Sequence, residues 1–273
     1  MKRFSLITRL GKTDAAKVNV LQRDSSVHEL DFLDGDNRLA YGLGQALAQL
    51  ASLGLTTPET AIDLALLAGL VNAADTRVSR DINAQGGWTR EIDLYLPVSD
   101  PDRWSAQADH IGKMLRFLTG DRWRLFFRLR PKEASSLSVA TDKLPLHGLD
   151  EVSLFSGGLD SLIAAIDSLT EGTHPLFVSH YWDAETAKAQ SYLLERLETK
   201  FGDEAFKSMR VRLGFDRNAL DTGQTEDTQR GRSFLFYALA SLAAASFGTK
   251  TTVNVPENGL IALNVPLDPL RFG

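Results

Sequence analysis

Val152-Ser153-Leu154-Phe155-Ser156-Gly157-Gly158-Leu159-Asp160-Ser161-Leu162-Ile163-Ala164-Ala165 decides how the chain is read. A short apolar run ends in Ser-Gly-Gly, and apolar residues at Leu159, Leu162, Ile163 and Ile166 then mark one face of a helix. The loop therefore joins a strand to a helix start. Two adjacent glycines let a phosphate approach without meeting a Cβ, and the first-turn N–H groups point outward with roughly half an elementary charge of helix dipole behind them. Ser156 and Ser161 can donate to further phosphate oxygens. Asp160 repels phosphate, so its work is to accept loop N–H groups and fix the turn, the preferred reading, or to help hold Mg²⁺.

The rhythm around this stretch is strand, helix, strand, helix. Strands are expected at Val152 to Phe155, Leu176 to Val178, Val211 to Phe215 and Thr252 to Val255, with helices at Leu159 to Leu169, Glu185 to Phe201 and Phe234 to Phe247. Those lengths suit the crossovers of a doubly wound, parallel, Rossmann-like α/β sheet with its ligand at the strand carboxyl ends. His180 follows the second strand on that side, with Ser179, Tyr181 and Trp182, and Glu257 follows the fourth beside Asn258 and Gly259. Arg230 and Arg232, ahead of the last helix, are candidates to bind phosphate or carboxylate bidentately.

Before about residue 140 the character differs. Ala40 to Leu53 and Pro58 to Ala74 read as helices, Glu91 to Val98 as a strand, Pro101 to about Thr119 as a helix and Trp123 to Leu129 as a second strand. This predicts a smaller α+β domain over 1–148, preceding an α/β domain over 149–273, with the breaker-rich stretch after Arg130 as the boundary. Arg122, Arg124, Arg128 and Arg130 punctuate the second strand and are read as the wet face of a sheet rather than a nucleic-acid surface.

Composition closes off other classes. The 273 residues are 43% apolar and 24% charged, which is ordinary globular usage. Net charge is −5, from 30 Lys and Arg against 35 Asp and Glu, so no global basic field favours nucleic acid or anionic lipid. No apolar run suits a membrane span, and Arg9 interrupts the apolar start before a signal-peptide core forms, so a cytoplasmic location is expected. With zero cysteines, disulfides, thiolate nucleophiles and Cys-ligated zinc are excluded. Gly11-Lys12-Thr13 lacks the earlier glycine of a phosphate loop, Leu6 standing there, and His28-Glu29 lacks the second histidine of a zinc-protease helix. The histidines His28, His110, His147, His174 and His180 show no ligand spacing.

Ser156-Gly157-Gly158-Leu159-Asp160-Ser161 resembles the SGGxDS pyrophosphate loop of the adenine nucleotide alpha hydrolase-like ATP pyrophosphatases. From about Glu151 onward the order of elements is similar to the QueC group, the 7-cyano-7-deazaguanine synthases of queuosine biosynthesis. Glu226-Asp227-Thr228-Gln229-Arg230-Gly231-Arg232-Ser233-Phe234-Leu235-Phe236 and Val255-Pro256-Glu257-Asn258-Gly259-Leu260 narrow it to the QueC-like proteins of bacterial antiviral defence, the QatC type.

The resemblance implies that Phe155 to Ser161 hold ATP with Mg²⁺. It implies further that a 7-deazaguanine carboxylate attacks the α-phosphorus with loss of pyrophosphate, that an amine then displaces AMP, and that other defence proteins are partners. Arg230, Arg232, His180 and Glu257 would contact phosphate or substrate. The family carries a four-cysteine zinc site beyond this region, for which this chain has no cysteine ligands, so either a C-terminally incomplete domain, the preferred expectation, or loss of the zinc-bearing part is implied. Other outcomes are a pyrophosphatase for tRNA thiolation or amide synthesis, and a nonenzymatic nucleotide-binding subunit.

Overall fold

The computed structural model describes residues 2–144, 148–226, 228–248 and 250–257. The expectations that involve His147, Asp227, Asn258 and Gly259, and the end of the chain, lie outside the described residues.

The first half is built on β1 (Arg3–Arg9), β2 (Ser26–Asp31), β3 (Glu91–Val98) and β4 (Arg122–Leu129), in the order β2-β1-β3-β4. Every pairing is parallel. The expected α+β layout is therefore corrected to a parallel α/β sheet. The two missed strands explain the difference: β1 is an apolar run short enough to pass as a chain start, and the edge strand β2, Ser-Val-His-Glu-Leu-Asp, is half polar.

Alternation along β3 sends Ile92, Leu94, Leu96 and Val98 into the core. Glu91, Asp93 and Tyr95 occupy the other face and are buried too. Arginines cover that face: Arg124 Nη2 lies 2.6 Å from Asp93 and Arg122 Nη1 3.1 Å from Glu91, while Arg3 pairs with both acids. Arg128 reaches Asp14 at 2.5 Å, and Arg130 pairs with Glu59 and Asp63. The arginine-punctuated strand is thus internally neutralised.

Helices α1 (Leu43–Ser52), α2 (Glu59–Arg77), α3 (Arg80–Asn83), α4 (Pro101–Ser105) and α5 (Ala108–Thr119) complete this half. The single helix expected from Pro101 to Thr119 is two: Asp100 caps α4 by accepting the Arg103 N–H at 3.1 Å, and Gly120, at φ +76°, ends α5.

The second half carries β5 (Glu151–Leu154), β6 (Pro175–His180), β7 (Lys207–Val211) and β8 (Thr252–Asn254), ordered β7-β6-β5-β8 and all parallel. Helices α6 (Leu159–Thr170), α7 (Ala184–Phe201) and α8 (Arg232–Ser246) make the crossovers. The third strand lies earlier than the apolar run Val211 to Phe215 suggests. Leu213 and Phe215 follow the strand and are buried in the core shared with the first half, Phe215 against Tyr41 with ring centroids 4.4 Å apart.

The halves share one apolar core running from Phe4 to Ala243. Helix α2 is buried nearly all round because it packs on the first sheet and on α8. Gly42, at the start of α1, marks a second close approach of the two halves: at φ +90°, a Cβ there would lie 2.1 Å from the Arg212 carbonyl oxygen.

Candidate functional site

Strand order in the second sheet reverses between β5 and β8, and a crevice opens at the carboxyl ends of strands at such a point. The Ser156 to Ser161 loop stands there. Gly157 adopts φ +84°, and a Cβ on it would fall 3.0 Å from Gln190 Cγ. Ser161, buried, accepts the Gly157 N–H at 3.2 Å and donates to the Gly158 carbonyl at 2.9 Å. Ser156 Oγ accepts the Gly158 N–H at 3.2 Å and donates to Ser161 Oγ at 3.2 Å. The first intrahelical bond of α6 runs from the Leu162 N–H to the Gly158 carbonyl at 3.1 Å, so the amides of Leu159, Asp160 and Ser161 precede it.

This corrects the preferred role of Asp160. The two serines fix the turn, and the Asp160 carboxylate stays exposed on the cleft wall. Ser161 in turn is a loop fastener rather than a free phosphate donor.

A cleft of about 350 Å³ faces the loop, walled by Ser156, Asp160, Arg232, Phe236, Tyr237 and Glu257. Two of the predicted contacts therefore share one cavity with the loop. Arg232, the first residue of α8, lays its guanidinium 3.8 Å from the Trp182 ring centroid and 5.1 Å from that of Phe236. Its Nε is buried without a hydrogen-bond partner among the described residues, and burial pushes its pKa below the ordinary guanidinium value. The guanidinium is partly buried and has no ion pair among the described residues, so its charge is available to a ligand in the cleft.

Arg230 goes elsewhere. Its guanidinium stacks 3.7 Å over Trp88 in the first half and donates to the Thr119 carbonyl at 3.4 Å, so it does not line the cleft.

His180 is 2% exposed at the end of β6. Its Nε2 bonds the Leu213 carbonyl at 2.9 Å, which makes Nε2 the protonated nitrogen, while Nδ1 has no partner among the described residues. It lines a second cleft of about 680 Å³ with Trp182, Leu213 to Phe215, Asn72 and Gln229. The rings of Trp182 and Phe236, 6.1 and 5.6 Å from that of His180, set this cleft beside the Arg232 side chain. A larger cavity of about 790 Å³, between Leu10, Leu33, Gly44 and Ser138, touches none of the predicted site residues.

Burial pushes the His180 pKa below the usual imidazole value, the Leu213 carbonyl raises it and the Arg232 cation lowers it further. Such a base binds fewer protons folded than unfolded, so its contribution to stability is complete above about pH 6.5 and is lost as pH falls toward the folded pKa. His28 shifts the same way through burial and Lys2. The unfolding midpoint is expected to decline from about pH 6.5 downward. His180→Gln should flatten that slope, and an unaltered acid limb in the variant contradicts the assignment.

Sequence reading missed Gln190. This side chain, fully buried in the middle of α7, donates through Nε2 to the carbonyls of Ser156 at 3.2 Å and His180 at 3.0 Å, tying the loops after β5 and β6 together. The one available signal was a polar residue on the inward stripe with Leu194 and Leu197. Ser179, donating to the Phe155 carbonyl at 2.7 Å, adds a second tie.

Fold and loop together define a parallel α/β protein with a glycine-containing strand-to-helix loop at the switch point of its second sheet. Compared with known protein families, with curated proteins and with solved structures, the chain gives no match. Among the described residues no helix is long and apolar enough to cross a membrane, and no group of three or more His, Asp or Glu is placed to hold a metal ion.

Proposed function

We propose that the chain binds ATP at the Ser156 to Ser161 loop and is an ATP pyrophosphatase that adenylates a carboxylate. In this reading the substrate is a 7-deazaguanine acid, as in QueC-like chemistry, and the enzyme serves bacterial antiviral defence with other proteins of such a system. The observation that carries the reading is the meeting of the Ser156 to Ser161 loop and Arg232 in one cleft.

The amides of Leu159 to Ser161 and the α6 dipole hold the outer phosphates, and Arg232 takes up charge that grows on the pyrophosphate as it departs. A carboxylate oxygen attacks the α-phosphorus while the bond to pyrophosphate breaks. An amine nitrogen then attacks the acyl carbon, AMP leaves and the nitrogen loses its proton. Glu257, on the far wall of the cleft, faces the incoming substrate, and the cleft beside His180 receives the nucleoside end.

Asp160 suits Mg²⁺, because it is a free carboxylate beside the phosphate position and Mg²⁺ commonly takes one carboxylate plus substrate phosphates. When bound, the ion supplies charge neutralisation on the phosphates. The four-cysteine zinc site of the QueC-like proteins does not suit these 273 residues, which include no cysteine.

Thiolation of tRNA shares the loop chemistry but needs a basic surface, and the arginines of β4 are already paired with acids. Exchange of labelled pyrophosphate into ATP is the test. Stimulation by a 7-deazaguanine acid, and not by tRNA or glutamate, is expected. Stimulation by tRNA or glutamate alone contradicts the substrate assignment.

A further inference from the structure

A buried group of charges in the first half connects to the cleft in the second. Arg90, with no exposure, donates through Nη2 to Asp75 at 2.8 Å and Asp121 at 2.5 Å, and through Nη1 to the Val78 carbonyl at 2.5 Å beyond the end of α2. Arg80, 3% exposed, donates to the same two carboxylates at 3.2 and 2.7 Å. Burying two ion pairs is costly, and apolar residues of equal volume would often hold such a core as well or better, so their use points to placement rather than stability.

What they place is the start of α8. Asp75 gives Oδ1 to the arginines and Oδ2 to the Gly231 N–H, at 2.7 Å. Gly231 is the N-cap of α8 and has no side chain with which to cap, so a carboxylate from α2 does the capping at the positive end of the dipole. Residues ahead of α8 are held by the same part of the first half: Glu226 accepts the Arg80 N–H at 2.7 Å, Thr228 Oγ1 accepts from Arg80 Nη1 at 2.9 Å, and Arg230 stacks on Trp88. Arg232 is the next residue after Gly231.

We propose that Asp75 is a positioning residue that fixes Arg232 at the phosphate cleft, with Arg80, Arg90 and Asp121 holding Asp75 in orientation. The proposal rests on the reading of that cleft as a nucleotide phosphate site. It gives the first half of the chain a definite part in the second half's chemistry, since residues of α2, α3 and the turns before β3 and β4 set an arginine that lines the cleft with the loop.

The test is a double-mutant cycle on the full chain with two readouts, the Trp182 fluorescence without ligand, isolated by difference against Trp182→Phe, and the dissociation constant for Mg-ATP. Asp75→Asn is expected to shift Trp182 emission in the same sense as Arg232→Ala and to weaken Mg-ATP about tenfold. The double variant should match Arg232→Ala alone in both readouts. A folded Asp75→Asn protein with wild-type emission and affinity overturns the proposal, as does a double variant that loses the product of the two single effects.

If Asp75→Asn does not fold, Gly231→Ala is read in the same cycle with the same criteria. Its Cβ would lie 3.3 Å from Asp75 Oδ2 and 3.4 Å from Val71 Cγ1, which disturbs that contact with the charges intact. A wild-type protein that ignores Mg-ATP removes the nucleotide reading, and the fluorescence cycle still decides whether Asp75 acts on Arg232.

Discussion

Arg232→Ala is expected to weaken Mg-ATP binding by roughly 10- to 100-fold, the range that follows from losing a charge-assisted hydrogen bond worth about 1.5–3 kcal/mol. The thermal midpoint should barely move. The cation is partly buried and has no ion pair among the described residues, so its removal relieves a partly desolvated charge while it costs a stacking contact of about 1 kcal/mol with Trp182. Arg232→Lys should recover only part of the affinity, because an ammonium keeps the charge but not the planar fork or the stack. Affinity measured by titration, beside the midpoint, separates the two effects. Wild-type affinity in a folded Arg232→Ala protein contradicts the assignment of this residue.

Gly157→Ala should act more drastically, with nucleotide affinity lowered more than about 100-fold and stability lowered by about 1–2 kcal/mol. Two causes add. The backbone is at φ +84°, and the new methyl group would meet Gln190 Cγ at 3.0 Å. They can be separated, since Gln190→Ala opens the space but leaves the backbone angle and also removes the bonds to Ser156 and His180. The double variant is therefore expected to bind no better than Gly157→Ala. Recovery in the double variant would show that crowding alone matters and that the loop conformation does not.

Much of the second half is legible because its local signals agree: a buried strand, a glycine pair and an amphipathic helix follow one another without conflict, and the strand order puts their junction at the switch point. The first half is harder. β2 shows half polar usage on an edge, and β1 resembles any apolar start, so parallel pairing of the two leaves no local mark. The same reason hides Gln190 and Asp75. Each acts on a loop far away in sequence, and only the tertiary arrangement distinguishes them from ordinary polar residues on a helix. Arg230 and Arg232 show the limit from the other side: two residues apart and alike in sequence, one faces Trp88 and the other the cleft. Their places on either side of the α8 N-cap, Gly231, decide that, not the residue type.

The central claim is that the amides after Phe155 grip the phosphates of ATP. Calorimetric titration of the folded wild-type chain with Mg-ATP tests it most directly, with Gly157→Ala as the matched control. Saturable binding at millimolar or lower concentration, lost in the control, is the predicted result. An absence of heat in both proteins, or equal binding by both, contradicts it.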